Sequence, residues 1–429
     1  MANNTQTAAT TAAPPKGAQR PADKWIWGIF LLLCFVSLIE TSSASSREVA
    51  NAGPIAPLLK HAALLALGVA AAFVIQHINY NRFKVWIPVL LIAALGLVVY
   101  VKDHGDMING ARRSISLYGV SLFPSEMSKL AIVAMIALIM SKMQVPGGGT
   151  KKRAVAYCAI LVALFGGLLY PQGFTNAAIL MAISLAMMLI GGVRLTHFLV
   201  VLLFYALFYA GYAKYTEYAE EKANALPTAM ATTRGENRDA TRSNRMANYD
   251  FSEEKCLAHP LGEQGYDQEQ YGYFARANGG VFGVGPGHSR ECSRLQMAHT
   301  DFVFSIVVEE LGLVGALLLM VAYLALLGRA GSIAKQCRRA FPALLIMGMA
   351  VMITVQALSH MAINSGLVPI SGQPLPFISK GGSSSLFMGI AMGVMLSVSR
   401  YAEFSTAKRG PANDTDLANN AINPAIANK

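Results

Sequence analysis

The sequence predicts an all-α, polytopic membrane protein with about ten transmembrane helices and one long extracytoplasmic loop between helices 7 and 8. Three observations lead to this fold class. The 429-residue chain is 54% hydrophobic and only 14% charged, a composition that soluble domains do not have. Its apolar residues form a series of runs, each near the roughly 20 residues needed to cross the hydrocarbon core. Short clusters of Lys and Arg separate alternate runs.

The first 23 residues are rich in Ala, Thr and Pro, so we expect a disordered N-terminal segment at residues 1–23. The first apolar run starts late and belongs to a long series, which argues against a cleavable signal peptide. The membrane domain is predicted to cover residues 24–403, with a tail at 404–429. Its spans are predicted at Lys24–Ser42, Leu58–His77, Phe83–Val101, Pro124–Met143, Ala154–Tyr170, Phe174–Val193, Thr196–Tyr215, Asp301–Leu327, Phe341–Ser365 and Ser383–Glu403.

Lys and Arg residues precede the first span and follow every even-numbered one. Because such residues accumulate on the cytoplasmic side, both termini are predicted to be cytoplasmic. The net charge of +11 is spread over loops that meet anionic lipid and does not form a face for nucleic acid. Arg112 and Arg113 break the pattern, since they follow the third span on the outer side. We therefore interpret them as more than routine anchors.

Residues 216–300 form one polar loop that is far longer than most connections, which indicates function or disorder. Its first half, Glu217–Glu254, is expected to contain a surface helix. Its Gly-rich second half is not part of a βαβ unit, so we reject a nucleotide-binding loop. The glycines are expected to let the backbone approach a ligand or fold back on the membrane face. Cys256 and Cys292 both lie in this loop, and either a disulfide or two free thiols fits the sequence.

One carboxylate, Asp301, stands where the long loop meets the eighth span, in the string Ala298–Phe302. A charge is costly to hold at a membrane boundary, so its presence there indicates function. A lipid-linked substrate would bring its polar headgroup to the same level. Thr300 and Asp301 also suit the N-cap of the following helix. Both interpretations remain open, and one residue can serve in both ways.

The loop after the third span carries Arg112 and Arg113 and leads into the fourth span. There Glu126 and Lys129 are three residues apart, so they share one helix face and can neutralise each other. One interpretation is a structural ion pair. The other is the wall of a cationic pocket, in which the planar guanidinium groups of Arg112 or Arg113 bind phosphate oxygens.

The last span follows a loop rich in Pro, Gly and Ser, residues 369–385. Irregular backbone at membrane depth is tolerated only where it is buried in protein or lines a wet cavity. The string Lys380-Gly381-Gly382-Ser383 opens a helix whose free N–H groups and positive dipole end suit phosphate, and Lys380 adds charge. A tight turn with a serine N-cap is the alternative.

Several polar residues lie within the predicted spans. Gln356, His360 and Asn364 are each four residues apart, so they line one face of the ninth span. We expect them to form interhelical hydrogen bonds. Glu309 lies eight residues beyond Asp301, and we expect it to be a structural partner for a basic group.

These strings resemble the shape, elongation, division and sporulation (SEDS) family, the RodA/FtsW peptidoglycan glycosyltransferases. The resemblance extends from Trp25 to Arg400 and is closer to division-type FtsW than to RodA. Two departures are Leu295-Gln296-Met297, where the family usually has Leu-Pro-Glu, and Gln172, where an acidic residue is usual. The strings that carry the resemblance are Asn109–Arg113, Pro124–Lys129, Ala298–Phe302 with Glu309–Gly312, and Gly372–Ser384.

The resemblance implies an inverting glycosyltransferase that polymerises lipid II into glycan strands at the outer face of the bacterial cytoplasmic (inner) membrane during cell division. It implies that Asp301 accepts the proton of the acceptor sugar 4-hydroxyl while undecaprenyl pyrophosphate leaves. It implies no organic cofactor, and a divalent cation, Mg or Mn, is a candidate. The implied substrate-binding residues are Arg112, Arg113, Glu126, Lys129, His299, Lys380, Gly381, Gly382 and Ser383.

The implied partners are a class B penicillin-binding protein (a transpeptidase), other division proteins, the undecaprenyl-pyrophosphate-linked glycan and membrane lipid. Two other functions are compatible with the sequence. A lipid II flippase would need polar residues through the full membrane depth, and a non-catalytic division scaffold would leave Asp301 dispensable. The candidate polar groups gather at the outer edge, which favours chemistry over translocation.

Overall fold

The computed structural model describes residues 20–44, 55–108, 111–117, 120–145, 149–224, 267–295, 298–368 and 371–402. The predictions for residues 1–19, for Cys256 and for the C-terminal tail lie outside these residues. Both alternatives for Cys256 and Cys292, a disulfide or two free thiols, therefore stay open.

The described chain is mainly helical. Its elements, in chain order, are α1 (Lys24–Ala44), α2 (Ile55–Ile75), α3 (Tyr80–His104), β1 (Asp106–Ile108), β2 (Ala111–Leu117), β3 (Val120–Leu122), α4 (Pro124–Lys142), α5 (Lys152–Leu169), α6 (Phe174–Ile190), α7 (Leu195–Asn224), α8 (Asp267–Gly279), a 3₁₀ turn (Glu291–Ser293), α9 (Val303–Gln336), α10 (Ala340–Asn364) and α11 (Gly382–Tyr401).

The fold class predicted from the sequence is confirmed. Among the described residues, nine helices are long and apolar enough to cross a membrane, and α6 is a shorter apolar helix of 17 residues. The helices α7 and α9 each continue nine residues beyond their predicted ends, α7 to Asn224 and α9 to Gln336. Hydropathy marks where a helix leaves hydrocarbon, whereas backbone hydrogen bonding continues into the polar region.

A small antiparallel sheet follows α3, and the sequence analysis did not predict it. Its strand order is β1-β2-β3, with Met107 opposite Arg112 and Ser116 opposite Ser121. The carboxylate of Asp106 also accepts a hydrogen bond from the Ser116 N–H at 2.7 Å. The strands β1 and β3 have only three residues each, which is too short to show alternation, so periodicity gave no sign of these two strands.

Three helices form the centre of the bundle. The apolar windows of α4, α10 and α11 are 78%, 78% and 83% buried, against 11% for α7, which is peripheral. Small residues allow α2 and α11 to touch backbone to backbone: a Cβ on Gly389 would lie 2.7 Å from the Gly68 Cα. Close approach at glycine is a common way to pack helices without a hydrophobic driving force between them.

The described chain includes residues before the predicted boundary at residue 24. Asp23 caps α1, because its Oδ1 accepts the N–H groups of Trp25 and Ile26, both at 3.1 Å. The same carboxylate pairs with Arg329 of α9. The backbone N–H of Asp23 donates to the hydroxyl of Ser399 in α11 at 3.2 Å. Composition placed residues 20–23 in the disordered segment because it carries no information about these tertiary partners.

The helix α9 is broken at Gly312, whose φ of 68° and ψ of −171° are not helical and are essentially restricted to glycine. The break frees backbone groups on both sides of the glycine. A Gly-rich loop, residues 279–287, satisfies them: Val284 N–H donates to Glu309 O at 3.0 Å, and Leu313 N–H donates to Gly280 O at 3.0 Å. The Gly-rich loop thus packs its backbone against the broken part of α9, and its approach to a ligand or to the membrane face stays a prediction.

Candidate active site

Asp301 lies in the turn that precedes α9. The helix begins at Val303, and its N-cap is Phe302, which makes no side-chain cap hydrogen bond. The interpretation of Thr300 and Asp301 as the N-cap is therefore wrong, since the helix starts two residues later than predicted. Asp301 is half-buried, so its side chain is neither sealed in the core nor fully in water.

Three consecutive carbonyl groups fix the backbone of this turn. Lys380 N–H donates to the carbonyl of His299 at 2.9 Å. The hydroxyl of Ser379 donates to the carbonyl of Thr300 at 2.7 Å. The side-chain amide of Asn364 donates to the carbonyl of Asp301 at 2.9 Å. We call this set of bonds the carbonyl clamp; it joins two loops that are about 80 residues apart in sequence.

The polar face of α10 supports the clamp from below. Asn364 is held by Ser305 of α9, whose N–H and hydroxyl both donate to its Oδ1, at 3.3 and 3.1 Å. His360 Nδ1 lies 2.6 Å from the carbonyl of Gln373 and its Nε2 lies 3.3 Å from the amide of Asn364. Since a carbonyl only accepts, the neutral ring carries its proton on Nδ1. The predicted interhelical role of this stripe is confirmed.

The loop before α11 enters the bundle and is buried there. Leu375, Phe377 and Ile378 are each at most 2% exposed, and the Phe377 ring packs on Phe30 of α1 with centroids 4.9 Å apart. The hydroxyl of Tyr323, in the middle of α9, donates to the carbonyl of Pro376. Irregular backbone at this depth is sheltered by protein on all sides, as the sequence requires.

Two residues that the sequence analysis missed brace this loop from α1 and α2. The hydroxyl of Ser37 donates to the carbonyl of Ile378 at 3.2 Å and lies 2.7 Å from Nε2 of His61. A hydroxyl has one proton, so His61 is the donor to Ser37. His61 is 1% exposed. A histidine in an apolar span was the available signal, although nothing in its spacing connects it to residue 378.

Glu126 and Lys129 form a buried ion pair, with Lys129 Nζ 2.6 Å from Glu126 Oε1 and Lys129 fully buried. Lys129 Nζ also lies 2.7 Å from Gln356 Oε1, and the Gln356 amide donates to the carbonyl of Pro374 at 3.3 Å. The structure thus shows the structural ion pair that was one of the two interpretations of Glu126 and Lys129. Through Gln356 it supports the first half of the loop that carries Ser379 and Lys380.

The start of α11 is enclosed. Ser383 is 3% exposed, and its hydroxyl accepts the N–H of Phe123 at 2.9 Å. Gly382 packs against the carbonyl of Ser121, where a Cβ would come within 2.6 Å. This end of the helix is therefore joined to β3. Of the four residues in the predicted phosphate site, Lys380 and Gly382 are partly exposed and the other two are buried. The N-cap of α11 is Gly381, not a serine.

The backbone of Arg112 and Arg113 belongs to β2 and not to a loop. The prediction that their side chains bind phosphate lies outside what the structure describes. Glu309 also differs from expectation. Its carboxylate accepts hydrogen bonds from the Ser289 hydroxyl, from the Arg290 N–H at 3.0 Å and from the Asn278 amide at 3.4 Å. Among the described residues, no basic side chain takes part.

A divalent cation was a candidate from the resemblance. Among the residues that the structure describes, no three His, Cys, Asp or Glu side chains converge as metal ligands. The divalent cation therefore stays a prediction.

Comparison with known proteins decides the family. Residues 23–404 match the cell cycle protein family of FtsW, RodA and SpoVE. The chain belongs to this family, the SEDS family. Stage V sporulation protein E of Bacillus subtilis is 29% identical over 341 residues, 79% of this chain and 85% of that protein. The probable peptidoglycan glycosyltransferase FtsW of Trichlorobacter lovleyi is 30% identical over 383 residues, 87% of this chain and 93% of that protein.

Solved structures of SEDS proteins have the same fold. A chain from a peptidoglycan synthase complex superposes with a TM-score of 0.64 at 24% identity, covering 88% of this SEDS chain and 97% of that one. Thermus thermophilus RodA superposes with a TM-score of 0.60 at 23% identity, covering 89% of this chain and 98% of that one. At this level of identity the likeness establishes the fold.

Proposed function

We propose that this protein is a peptidoglycan glycosyltransferase that polymerises lipid II, and that Asp301 is its general base. The carbonyl clamp is the observation that carries the proposal. It holds the backbone of the turn bearing His299 and Asp301 against the backbone of Ser379 and Lys380, and the acidic residue Asp301 and the basic residue Lys380 are both partly exposed. FtsW relatives are named probable peptidoglycan glycosyltransferases, which supports the same activity.

The chemistry is a single displacement. Asp301 accepts the proton of the acceptor sugar 4-hydroxyl while the hydroxyl oxygen attacks the anomeric carbon of the lipid-linked strand. The bond from that carbon to the pyrophosphate oxygen breaks, and attack from the opposite face inverts the configuration. Negative charge then builds up on the departing pyrophosphate, and Lys380 and His299 are our candidates for stabilising it. Arg112 and Arg113 remain candidates for the same role.

The distribution of polar groups supports chemistry over translocation. Gln356, His360 and Asn364 all lie in the last third of α10. The first two thirds of that helix carry apolar residues with Thr354 as the one exception. A flippase would need a polar path through the remaining depth, whereas a transferase needs polarity only where the headgroups meet.

An apolar groove of about 290 Å³ offers room for the prenyl chain of the substrate. It lies between α3, α4, α10 and α11 and is lined entirely by hydrophobic residues, including Trp86, Leu130, Met349 and Val394. A chain of isoprene units has no hydrogen-bonding groups, so an all-apolar lining matches it.

We propose that a class B penicillin-binding protein is the partner of this chain and that the two proteins act together in cell division. The fold of a peptidoglycan synthase complex component and the FtsW names of several relatives support that assignment. The partner would cross-link the strand that this chain extends.

One assay separates the three functions. Purified protein, with its transpeptidase partner, is given fluorescently labelled lipid II in vesicles, and both glycan polymer and the leaflet of the label are measured. We expect polymer to accumulate. Movement of label between leaflets without polymer would identify a flippase. A protein that shows neither polymerisation nor label movement, but is still required for cell division, would be a scaffold.

A further inference from the structure

The tip of the Gly-rich loop carries apolar side chains that point away from the protein. Val281, Phe282 and Val284 are 55%, 83% and 39% exposed. We call these three residues the wedge. Phe282 is the most exposed of the large hydrophobic residues that the structure describes, although it belongs to the long polar loop. A contiguous apolar surface of this kind marks a contact site.

The wedge continues the lipid-facing side of α9. Val314 N–H donates to the carbonyl of Val281 at 3.2 Å, which places the wedge beside the first residues after the helix break. Along the same helix, Leu313, Leu318 and Val321 are 52%, 66% and 54% exposed. In a membrane-spanning helix such a row of side chains faces lipid.

The depth of the wedge follows from the length of α9. Arg329, paired with Asp23, marks the boundary on the predicted cytoplasmic side, since charged side chains stay at the interface. Leu313 precedes it by 16 residues, or about 24 Å at 1.5 Å per residue. The hydrocarbon core is about 30 Å thick. Leu313, and the wedge bonded beside it, therefore lies within reach of the opposite leaflet's acyl chains.

The loop backbone can occupy this position because α9 satisfies much of its hydrogen bonding. Val284 N–H and Gly285 N–H donate to the carbonyls of Glu309 and Glu310 at 3.0 and 2.9 Å, and Gly283 N–H donates to Gly279 at 2.8 Å. Backbone near hydrocarbon needs such partners because lipid supplies none. The break at Gly312 exposes the groups that accept the loop.

We propose that the wedge inserts among the acyl chains of the outer leaflet and anchors the Gly-rich loop to the bilayer. The anchor fixes the segment that holds Glu309 and Glu310, and therefore the helix that begins beside Asp301. The occupant is membrane lipid, and the inference does not depend on the proposed enzymatic activity.

The test uses the full chain in vesicles of phosphatidylethanolamine and phosphatidylglycerol with brominated acyl chains. The three native tryptophans are replaced by Phe, and a single probe is introduced as Phe282→Trp. His288→Trp, at an exposed position of the same loop, is the matched control. Val284→Trp is a second probe in case the first variant fails to fold, which size-exclusion chromatography reveals.

We expect bromolipid to quench the fluorescence of the Phe282→Trp and Val284→Trp probes several-fold more than that of the His288→Trp probe, and aqueous acrylamide to show the reverse order. Equal quenching of all three probes by acrylamide, without bromolipid quenching, would overturn the proposal. Quenching by neither agent would show that the wedge is covered by a second protein copy and would overturn it as well.

Discussion

At the scale of single residues, the carbonyl clamp explains why a partly exposed carboxylate stays in one place. The sequence predicted Asp301 as the functional group, because a charge at a membrane boundary is unusual. It did not predict the clamp itself. Main-chain carbonyls accept the three hydrogen bonds, and every residue has such a carbonyl, so no residue type marks the acceptor side.

Asn364 offers a direct test of the clamp. Asn364→Ala removes the donor to the carbonyl of Asp301 and the acceptor for Ser305. A lost buried hydrogen bond costs about 1–3 kcal/mol, so we expect the polymerisation rate constant kcat to fall roughly 10- to 100-fold with a smaller change in KM.

Steady-state kinetics on labelled lipid II measure the effect of Asn364→Ala. Asn81→Ala is the control, since Asn81 bonds only to Lys84 and to the helix start in exposed positions. A KM increase with unchanged kcat would mean that Asn364 contributes to substrate binding and not to placement of the base.

The brace from His61 and Ser37 is testable without an activity assay. Ser37→Ala removes the donor to the carbonyl of Ile378, and His61→Ala removes the partner of that hydroxyl. We expect faster amide hydrogen exchange in peptides covering 375–381, by mass spectrometry, because the buried loop loses support.

Ser332→Ala is a matched control for the brace, because that hydroxyl bonds within its own helix to Gly328 in an exposed position. Unchanged exchange in 375–381 for both Ser37→Ala and His61→Ala would show that the loop is held by its remaining contacts alone.

At the scale of elements, the ten apolar helices were predictable because lipid imposes a hydrophobic length on each one. The break in α9 was not. The apolar pattern is continuous through Glu309-Glu310-Leu311-Gly312 apart from the two carboxylates, and one glycine inside a helix pattern is usually tolerated. Only the partner loop, about 30 residues earlier, makes the non-helical conformation stable.

Replacing Gly312 by alanine is therefore expected to destabilise the folded protein. Gly312→Ala forces a side chain into a backbone region that is almost restricted to glycine, at about 1–3 kcal/mol, and its Cβ would collide with the carbonyl of Val281. We expect a lower thermal unfolding midpoint in detergent and the loss of hydrogen-exchange protection in residues 280–285.

Gly328→Ala in the same helix is the control for this substitution. Nothing lies within 4 Å of its would-be Cβ, so alanine should be neutral or slightly stabilising there. Equal midpoints for the two variants would contradict the assignment of a strained break at Gly312.

At the scale of the whole molecule, Asp23 connects three helices at one end of the bundle. Composition assigned that residue to a disordered segment, yet it joins α1, α9 and α11. Tertiary partners of this kind are invisible in a local window of sequence. The candidate site shows the same limit: the strings around Asp301 and Lys380 were recognised separately, and only the fold brought them into contact.

Asp23 gives the protein a predictable response to acid. Burial pushes its pKa upward, but the hydrogen bond and charge of Arg329 together with the N–H groups of Ile26 and Trp25 lower the pKa overall. The folded state thus favours the carboxylate. Its stabilisation is complete above the ordinary pKa, about 4, and is lost as pH falls through the lower folded value.

The variant Asp23→Asn should accordingly unfold at a lower temperature than the wild type at pH 7. The difference should shrink as the pH falls below about 4. Thermal unfolding in detergent across this range measures it. A difference that stays constant with pH would mean that the ion pair with Arg329 does not carry the effect.

The role of the Asp301 carboxylate is tested most directly by comparing Asp301→Asn with the wild type in lipid II polymerisation, with the transpeptidase partner present. Asparagine keeps the size of the side chain but cannot accept the proton, so we expect the rate to fall by about 100-fold or more while the protein remains folded. Asp103→Asn, at an exposed position near the end of α3, should leave the rate unchanged. Polymer formed at the wild-type rate by Asp301→Asn would contradict the assignment of this carboxylate as the base.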